Sequence, residues 1–295
     1  MGIARLESES IYILREVAAQ FHKPVLLFSG GKDSIVMTRL AEKAFRPGRF
    51  PFPLMLVDTG HNFPETLQYI QERISTLGEK LLVCSVEDSI ALGRAQDEKG
   101  PGASRNRIQS ISLMDSIRAN GFDAVIGGAR RDEEKARAKE RFFSLRDSTG
   151  KWDPENQRLE PWNLFNGRIA PGEHMRVFPL SNWTEIDIWQ YIEQEKLEIP
   201  SIYFSHRRKC VLRDNSLFAW ADFMELAKTD EIVEKTVRCR TVGDMNSTGM
   251  FESKASTVFE ILEELRVLDW SERGGRLDDR NSENSMEDRK REGYF

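Results

Sequence analysis

The sequence predicts an α/β fold: an open, mainly parallel twisted sheet with helices on both faces, followed by a C-terminal extension. Three observations carry this expectation. Short apolar runs alternate with amphipathic segments of helical period, the first run breaks into a glycine turn that opens a helix, and the second run repeats the arrangement. Val25 to Phe28 is the first run, and it ends at Ser29, Gly30 and Gly31 before a helical pattern begins at Asp33 with Ile35, Val36, Leu40, Ala41 and Ala44. Leu54 to Val57 is the second, ending at Asp58-Thr59-Gly60. Pro64-Glu65 then opens a helix carrying Leu67, Ile70, Ile74 and Leu77. Leu81 to Val86 supplies a third strand, residues 105–119 a helix, and Ala124 to Ile126 a fourth strand ending at Gly127-Gly128. Strands separated by helices of this length call for right-handed crossovers and parallel pairing.

Residues 130–146 are densely charged, and 147–174 are rich in Pro, Asn, Gly and Trp without a period, which predicts a long functional loop. Order returns at Val177-Phe178-Pro179, and Thr184-Glu185-Ile186-Asp187 has capping-box spacing before a helix with Ile188, Trp189 and Ile192 on its apolar face. The α/β domain is therefore expected over 1–200. An extension over 201–295 is expected to hold one helix near 256–268 and a flexible charged tail over 271–295, which has six basic and seven acidic residues.

Composition narrows the function classes. A chain of 295 residues that is 39% hydrophobic, with 17 Phe and 6 Trp, buries a core and is not a mostly disordered protein. Its 43 Lys and Arg against 48 Asp and Glu give a net charge of -5, which argues against an evenly basic nucleic-acid surface. Cys84, Cys210 and Cys239 form no CxxC pair and no His stands at ligand spacing, so neither a disulfide framework nor a structural metal is expected. No window approaches the roughly 18 apolar residues of a membrane span. The charged start, with Arg5, Glu7 and Glu9, lacks a signal-peptide stretch, so a cytoplasmic protein is expected.

The chemistry is expected at Ser29-Gly30-Gly31-Lys32-Asp33-Ser34, between a strand end and a helix start. Glycines let backbone amides approach an anion, and the helix N-terminus offers N–H groups and partial positive charge. Asp33 stands where a Walker A loop has Ser or Thr, so a γ-phosphate cradle of that type is excluded. Arg130 and Arg131 follow the Gly127-Gly128 strand end on the same sheet edge, where guanidinium groups suit a tetrahedral oxyanion; a solvated helix laced with i,i+4 pairs is the plain alternative. Lys139 and Arg141 are expected in solvent-facing pairs. Asp58 suits either a nucleotide or magnesium contact or a cap for the following helix, and His61 beside it reads as a surface histidine. Trp152, Trp162 and Trp183 are candidates for stacking on a base, whereas Trp189 on a helix face belongs to the core.

The hexapeptide at 29–34 resembles the SGGxDS signature of the PP-loop ATP pyrophosphatases, which cleave ATP between the α and β phosphates. Gly127-Gly128-Ala129-Arg130-Arg131-Asp132-Glu133-Glu134-Lys135-Ala136-Arg137-Ala138-Lys139-Glu140-Arg141 resembles a signature of the small, ATP-binding subunit of bacterial sulfate adenylyltransferase. Phe178 to Glu185 with Asp187-Ile188-Trp189, and Met286 to Lys290 with Gly293-Tyr294-Phe295, resemble further signatures of that family. The resemblance weakens over 213–250, where Asp244-Met245-Asn246 replaces a stretch that is often Gly-Cys-aromatic, and no chemistry is assigned there. It implies an adenine nucleotide alpha hydrolase-like fold and conversion of MgATP and sulfate to adenosine 5′-phosphosulfate and pyrophosphate. It also implies coupling to a larger GTPase subunit, because this chain has no GTPase motif and the product anhydride is uphill.

On this footing Ser29 to Ser34, Asp58, Gly127 and Gly128 are expected at ATP, Arg130 and Arg131 at sulfate, and Lys32, Arg130 and Arg131 in catalysis. Arg273, Arg276 and Arg280 in the tail suit a lid over a polyphosphate, with an inert solvated terminus as the alternative. Three other functions fit the sequence less well. A phosphoadenylyl-sulfate reductase needs a thiolate on its C-terminal tail, and 56 residues without cysteine follow Cys239. A non-catalytic nucleotide-binding scaffold is disfavoured by the intact glycines, Lys32 and the Arg pair. A tRNA-modifying enzyme would need a basic appendage, which the acidic balance lacks.

Overall fold

A computed structural model of the protein describes residues 2–267, the side chains at 106, 107, 135 and 136 excepted. The tail over 271–295, and the lid expected of it, lie outside the described residues.

The chain opens with α1 (Ile3–Gln20), upstream of the first strand signal, and buries Leu6, Ile13, Leu14 and Val17 at helical spacing. There follow β1 (Pro24–Leu27), α2 (Lys32–Phe45), β2 (Leu54–Asp58), α3 (Pro64–Leu77), β3 (Leu81–Ser85), α4 (Val86–Ala91), α5 (Asn106–Asn120) and β4 (Ala124–Ile126). These are the predicted strands and helices, with α4 added. The chain continues through α6 (Lys135–Ala138), β5 (Phe143–Arg146), β6 (His174–Val177) and α7 (Glu185–Glu195).

Six strands form one sheet in the order β3-β2-β1-β4-β6-β5, parallel except for the antiparallel edge strand β5. Leu26 pairs with Leu54 on one side and Ile126 on the other, so the chain reverses its direction of sheet growth between β1 and β4. Open α/β sheets bind ligands at such a switch point, beyond the strand carboxyl ends. Strand alternation splits the core. Leu26, Leu54 and Ile126 pack with α1, α2, α3 and α7, whereas Val25, Met55 and Val125 pack under Leu113, Met114 and Ile117 of α5.

Two local readings resolve differently. The charged 130–146 segment becomes one helical turn and then a strand, because its charges turn inward: Arg130, Glu140 and Arg146 are buried. Glu140 pairs with Arg146 across a face that also carries His174 and Arg176. Burial and those arginines push the His174 imidazole down to about 2, so it is neutral at physiological pH. By contrast α7 begins where its spacing predicts, with Thr184 Oγ1 accepting from Asp187 N–H and Asp187 Oδ2 accepting from Thr184 N–H.

The extension is more regular than its sequence suggests. β7 (His206–Arg213), β8 (Ser216–Ala219), β9 (Glu231–Cys239) and β10 (Gly249–Glu252) close into a small antiparallel barrel, and α8 (Val258–Val267) packs on α7. Asp214 and Asn215, both at positive φ, make the two-residue β7–β8 turn. Cys210, Val237 and Cys239 of the barrel share one continuous core with the sheet's α1–α2–α7 face.

Candidate functional site

At the switch point the Ser29–Ser34 segment turns from β1 into α2. Gly30 has φ +70°, and a Cβ there would sit 2.7 Å from Thr66 Cγ2 and 2.9 Å from Ile70 Cγ1, so the turn lies flush on α3 only because the residue is glycine. Gly31 is the N-cap of α2 with no side-chain cap; Lys32 N–H donates to the Tyr203 hydroxyl at 2.9 Å. Ser34 Oγ donates to Gly31 O at 2.8 Å and tightens the first turn. Gly128, after β4, comes against this turn from the other side. A Cβ on it would lie 3.0 Å from Asp33 Cβ.

Between these strand ends opens a cleft of about 240 Å³. Of the residues singled out in the sequence, Ser29, Gly31, Lys32, Asp33, Ser34, Gly127 and Gly128 line it, while Gly30 in the same turn packs on Thr66 and Ile70 of α3 instead. Leu27, Met55, Val57, Phe178 and Val242 supply apolar wall, while Lys32 and Arg137 are its basic residues. Lys32 is 1% exposed, with Nζ 3.2 Å from Asp33 Oδ2. Arg137 Nε lies 3.4 Å from Glu133 Oε2 in a geometry that makes no hydrogen bond, so the guanidinium is held there by charge.

The two arginines singled out in the sequence stand elsewhere. Arg130 does not line the cleft: its fully buried guanidinium ion-pairs with Asp33 and with Asp132, whose Oδ1 is 3.1 Å from Nε. It thus fixes the first turn of α2 from behind. Arg131 also points away from the cleft, donating to Asn182 Oδ1 and to Glu140 O and lying 4.8 Å over the Phe142 ring. Burial lowers its pKa. Adjacent residues after a strand end face different neighbours: the carboxylates of Asp33 and Asp132 claim Arg130, while the Asn182 amide oxygen, the Glu140 carbonyl and the Phe142 ring hold Arg131. Asp58 likewise serves its own turn, its Oδ1 accepting from Gly60 N–H at 2.9 Å and Asn62 Nδ2 at 3.2 Å.

His61 stacks on Phe223 at 3.9 Å between ring centroids, and burial followed by the Arg105 charge lowers its pKa. Trp152, Trp183 and Trp189 are buried and Trp162 is exposed; none lines the cleft, nor does any residue of the 147–174 loop. Sequence reasoning passed over Arg137, Tyr203, Gln109 and the Thr241–Asp244 strip, all in the cleft wall. Arg137 lies inside the quoted 127–141 motif and was legible as a third arginine. Tyr203 reaches the cleft from the short turn between α7 and the barrel, and the 241–244 strip from the barrel connection after β9, and no local pattern announces either.

The chain is similar to known proteins over nearly its whole length. The family described as the phosphoadenosine phosphosulfate reductase domain matches residues 23–250. Sulfate adenylyltransferase subunit 2 of Mycolicibacterium gilvum (strain PYR-GCK) is 58% identical over 98% of this chain and 93% of its own. The protein of the same name from Mycobacterium tuberculosis (strain ATCC 25618 / H37Rv) has the same identity and coverage. Among solved structures, FMN adenylyltransferase of Candida glabrata superposes with a TM-score of 0.46 at 14% identity, covering 68% of this chain and 58% of that one. Phosphoadenylyl-sulfate reductase of Candida auris gives 0.44 at 15%, covering 68% and 88%. A PP-loop cleft at the switch point of a phosphoadenosine phosphosulfate reductase domain, in a chain so close over nearly its whole length to these relatives, places the chain in the sulfate adenylyltransferase subunit 2 family.

Proposed function

We propose that the chain transfers the adenylyl group of ATP to sulfate, forming adenosine 5′-phosphosulfate and pyrophosphate, as the entry of sulfate into assimilation toward cysteine. The observation that carries this is the meeting, in one cleft, of the N-terminus of α2, the buried Lys32 and Arg137. In this proposal the Ser29–Ser34 turn and the first turn of α2 hold the β and γ phosphates by backbone N–H groups and helix dipole. A sulfate oxygen forms the new bond to the α-phosphorus as the bond from that phosphorus to the bridging oxygen of the β-phosphate breaks. Lys32 neutralises charge gathering on the departing pyrophosphate, and Arg137 holds the sulfate dianion in line. Sulfate is already deprotonated, so the step needs no general base, which suits the remote stacking of His61 on Phe223.

Gly128 lets the end of β4 pack directly on Asp33 of α2, and with Gly127 it forms part of the cleft wall that faces the nucleotide. Arg130 acts in this scheme through Asp33, and Arg131 through the 178–183 turn, rather than by touching sulfate. Magnesium enters with the substrate as MgATP. Among the described residues no group of three or more His, Cys, Asp or Glu side chains could hold a metal ion. A mixed anhydride of phosphate and sulfate is costly to form, so we further propose a partner subunit that hydrolyses GTP and couples that energy to this cleft. A reducing cytoplasm suits three buried cysteines that form no disulfide, and no described helix is long and apolar enough to cross a membrane.

The same geometry disfavours reductase chemistry. Cys84, Cys210 and Cys239 are all buried, none lines the cleft, and burial raises the first two thiols to about 11. The test is pyrophosphate release from MgATP by the purified chain with its partner subunit and GTP. Release should require sulfate and fall at least tenfold in Arg137→Met while ATP still binds. Release without sulfate, or full activity in Arg137→Met, would overturn the assignment.

A further inference from the structure

The 240–248 segment crosses the cleft from the barrel and is pinned at two points. Arg240 Nε lies 3.1 and 3.0 Å from the two Glu185 oxygens, with Nη2 2.7 Å from Oε2, at the start of α7. Four residues on, Asp244 is 1% exposed and accepts from Thr59 Oγ1 at 2.6 Å. Gln109 Nε2 of α5 stands 3.3 and 3.2 Å from its two oxygens. Thr241, Val242 and Gly243, between the pins, face the cleft.

The second pin grips more than the segment itself. Thr59 belongs to the turn after β2, whose carbonyl accepts from Arg105 and whose next residues Asn62 and Phe63 line the cleft. Met245 N–H donates to His61 O at 2.9 Å, and Asn62 bridges to Asp244 in antiparallel fashion. One carboxylate therefore ties three separate parts of the fold: the β2 turn, the N-terminal half of α5 and the barrel. A buried carboxylate is costly where mere packing is wanted, and an apolar side chain would fill the space at least as well. Its distinctive contribution is charge-assisted acceptance from two neutral donors, which fixes their geometry.

We propose that Asp244 is a positioning residue for nucleotide binding: through Thr59 and Gln109 it locks the barrel strip 241–243 against the β2 turn and so sets the width of the ATP cleft. The kinetic part rests on the adenylyl-transfer reading; the binding part does not.

Asp244→Ala, Asp244→Asn, Thr59→Val and the Asp244→Ala/Thr59→Val double variant test this, with ATP affinity read by calorimetry and KM and kcat by sulfate-dependent pyrophosphate release. Asp244→Ala should raise both the ATP Kd and KM about tenfold while kcat at saturating ATP changes less than about threefold, a loss of uniform binding. Asp244→Asn, whose amide oxygen still accepts from Thr59 while the Gln109 amide turns over, should stay within about threefold of the parent. The double variant should fall well short of the sum of the two single effects, because both changes break the Thr59–Asp244 contact and Thr59→Val loses beyond it only the local bonds to His61 N–H and Asn62. A folded Asp244→Ala with unchanged ATP affinity would overturn the proposal. So would a fall in kcat at constant KM that tracks the folded fraction, which is what a purely structural role gives. Should Asp244→Ala fail to fold, Thr59→Val alone decides, and unchanged affinity there counts against the proposal. If the parent protein shows no sulfate-dependent release, the adenylyl-transfer reading fails while calorimetry still decides the role of Asp244.

Discussion

Arg130→Met is expected to lower the thermal midpoint by about 6–12 °C and to weaken ATP binding severely, the largest stability effect of any single change near the cleft. The guanidinium is fully buried between Asp33 and Asp132, and its backbone N–H is accepted by Glu133 at 2.9 Å. Removing one partner of a buried ion pair strands the other and costs about 3–5 kcal/mol. The lower end applies here, because Asp33 and Asp132 keep 23% and 36% exposure and so retain some water. About 3 kcal/mol in a protein of this size corresponds to roughly 2–4 °C per kcal/mol. Affinity falls too, since Asp33 belongs to the first turn of α2 and loses the contact that orients it. Differential scanning calorimetry and ATP titration check both parts; a midpoint within about 2 °C of the parent would show that Arg130 is not the pin.

Lys32→Met is expected to behave in the opposite way, with a nearly native midpoint and a fall of about 10²–10³ in kcat, equivalent to about 3–4 kcal/mol of transition-state stabilisation. Methionine is unbranched and close in length, Lys32 is 1% exposed, and Asp33 keeps its pairing with Arg130. Burying a thioether in place of an ammonium relieves a desolvation cost, so folding has little to lose. The reaction loses the cation beside the departing pyrophosphate. Sulfate-dependent pyrophosphate release with a parallel melting curve separates the two effects. A rate within tenfold of the parent would remove Lys32 from the catalytic group.

The contrast between these two residues shows how far the sequence could be read. The strand, glycine turn and helix at 25–44 are written in local terms: an apolar run, a residue that tolerates positive φ and a 3.6-residue period. Lys32 therefore falls where the pattern puts it. Arg130 was legible as a residue beside the cleft but not as a buried one, because its orientation depends on Asp33, 97 positions away, and on Asp132. Arg131 turned toward Asn182 for a similar reason. Arg137, seven residues along the same motif, reaches the cleft because the segment folds as one helical turn rather than as a long solvated helix.

The barrel was the least legible part. Its strands carry outward charges such as Arg207, Lys209 and Glu234, which mask the apolar alternation. One signal did stand in the sequence, Asp214-Asn215 between Cys210–Leu212 and Leu217–Ala219, a two-residue hairpin turn. No local signal could place Asp244 against Thr59, since that contact spans 185 positions and exists only once the barrel closes.

The central claim is that this cleft breaks ATP between the α and β phosphates and gives the adenylyl group to sulfate. Its most direct measurement uses ATP labelled at the α-phosphorus together with sulfate labelled at sulfur, incubated with the complete enzyme, GTP and a pyrophosphatase, and resolves the nucleotide products. One product carrying both labels, formed only when sulfate is present and lost in Lys32→Met, is the expected result. Phosphorus label appearing only in ADP or AMP, with the sulfur label left in free sulfate, would contradict it.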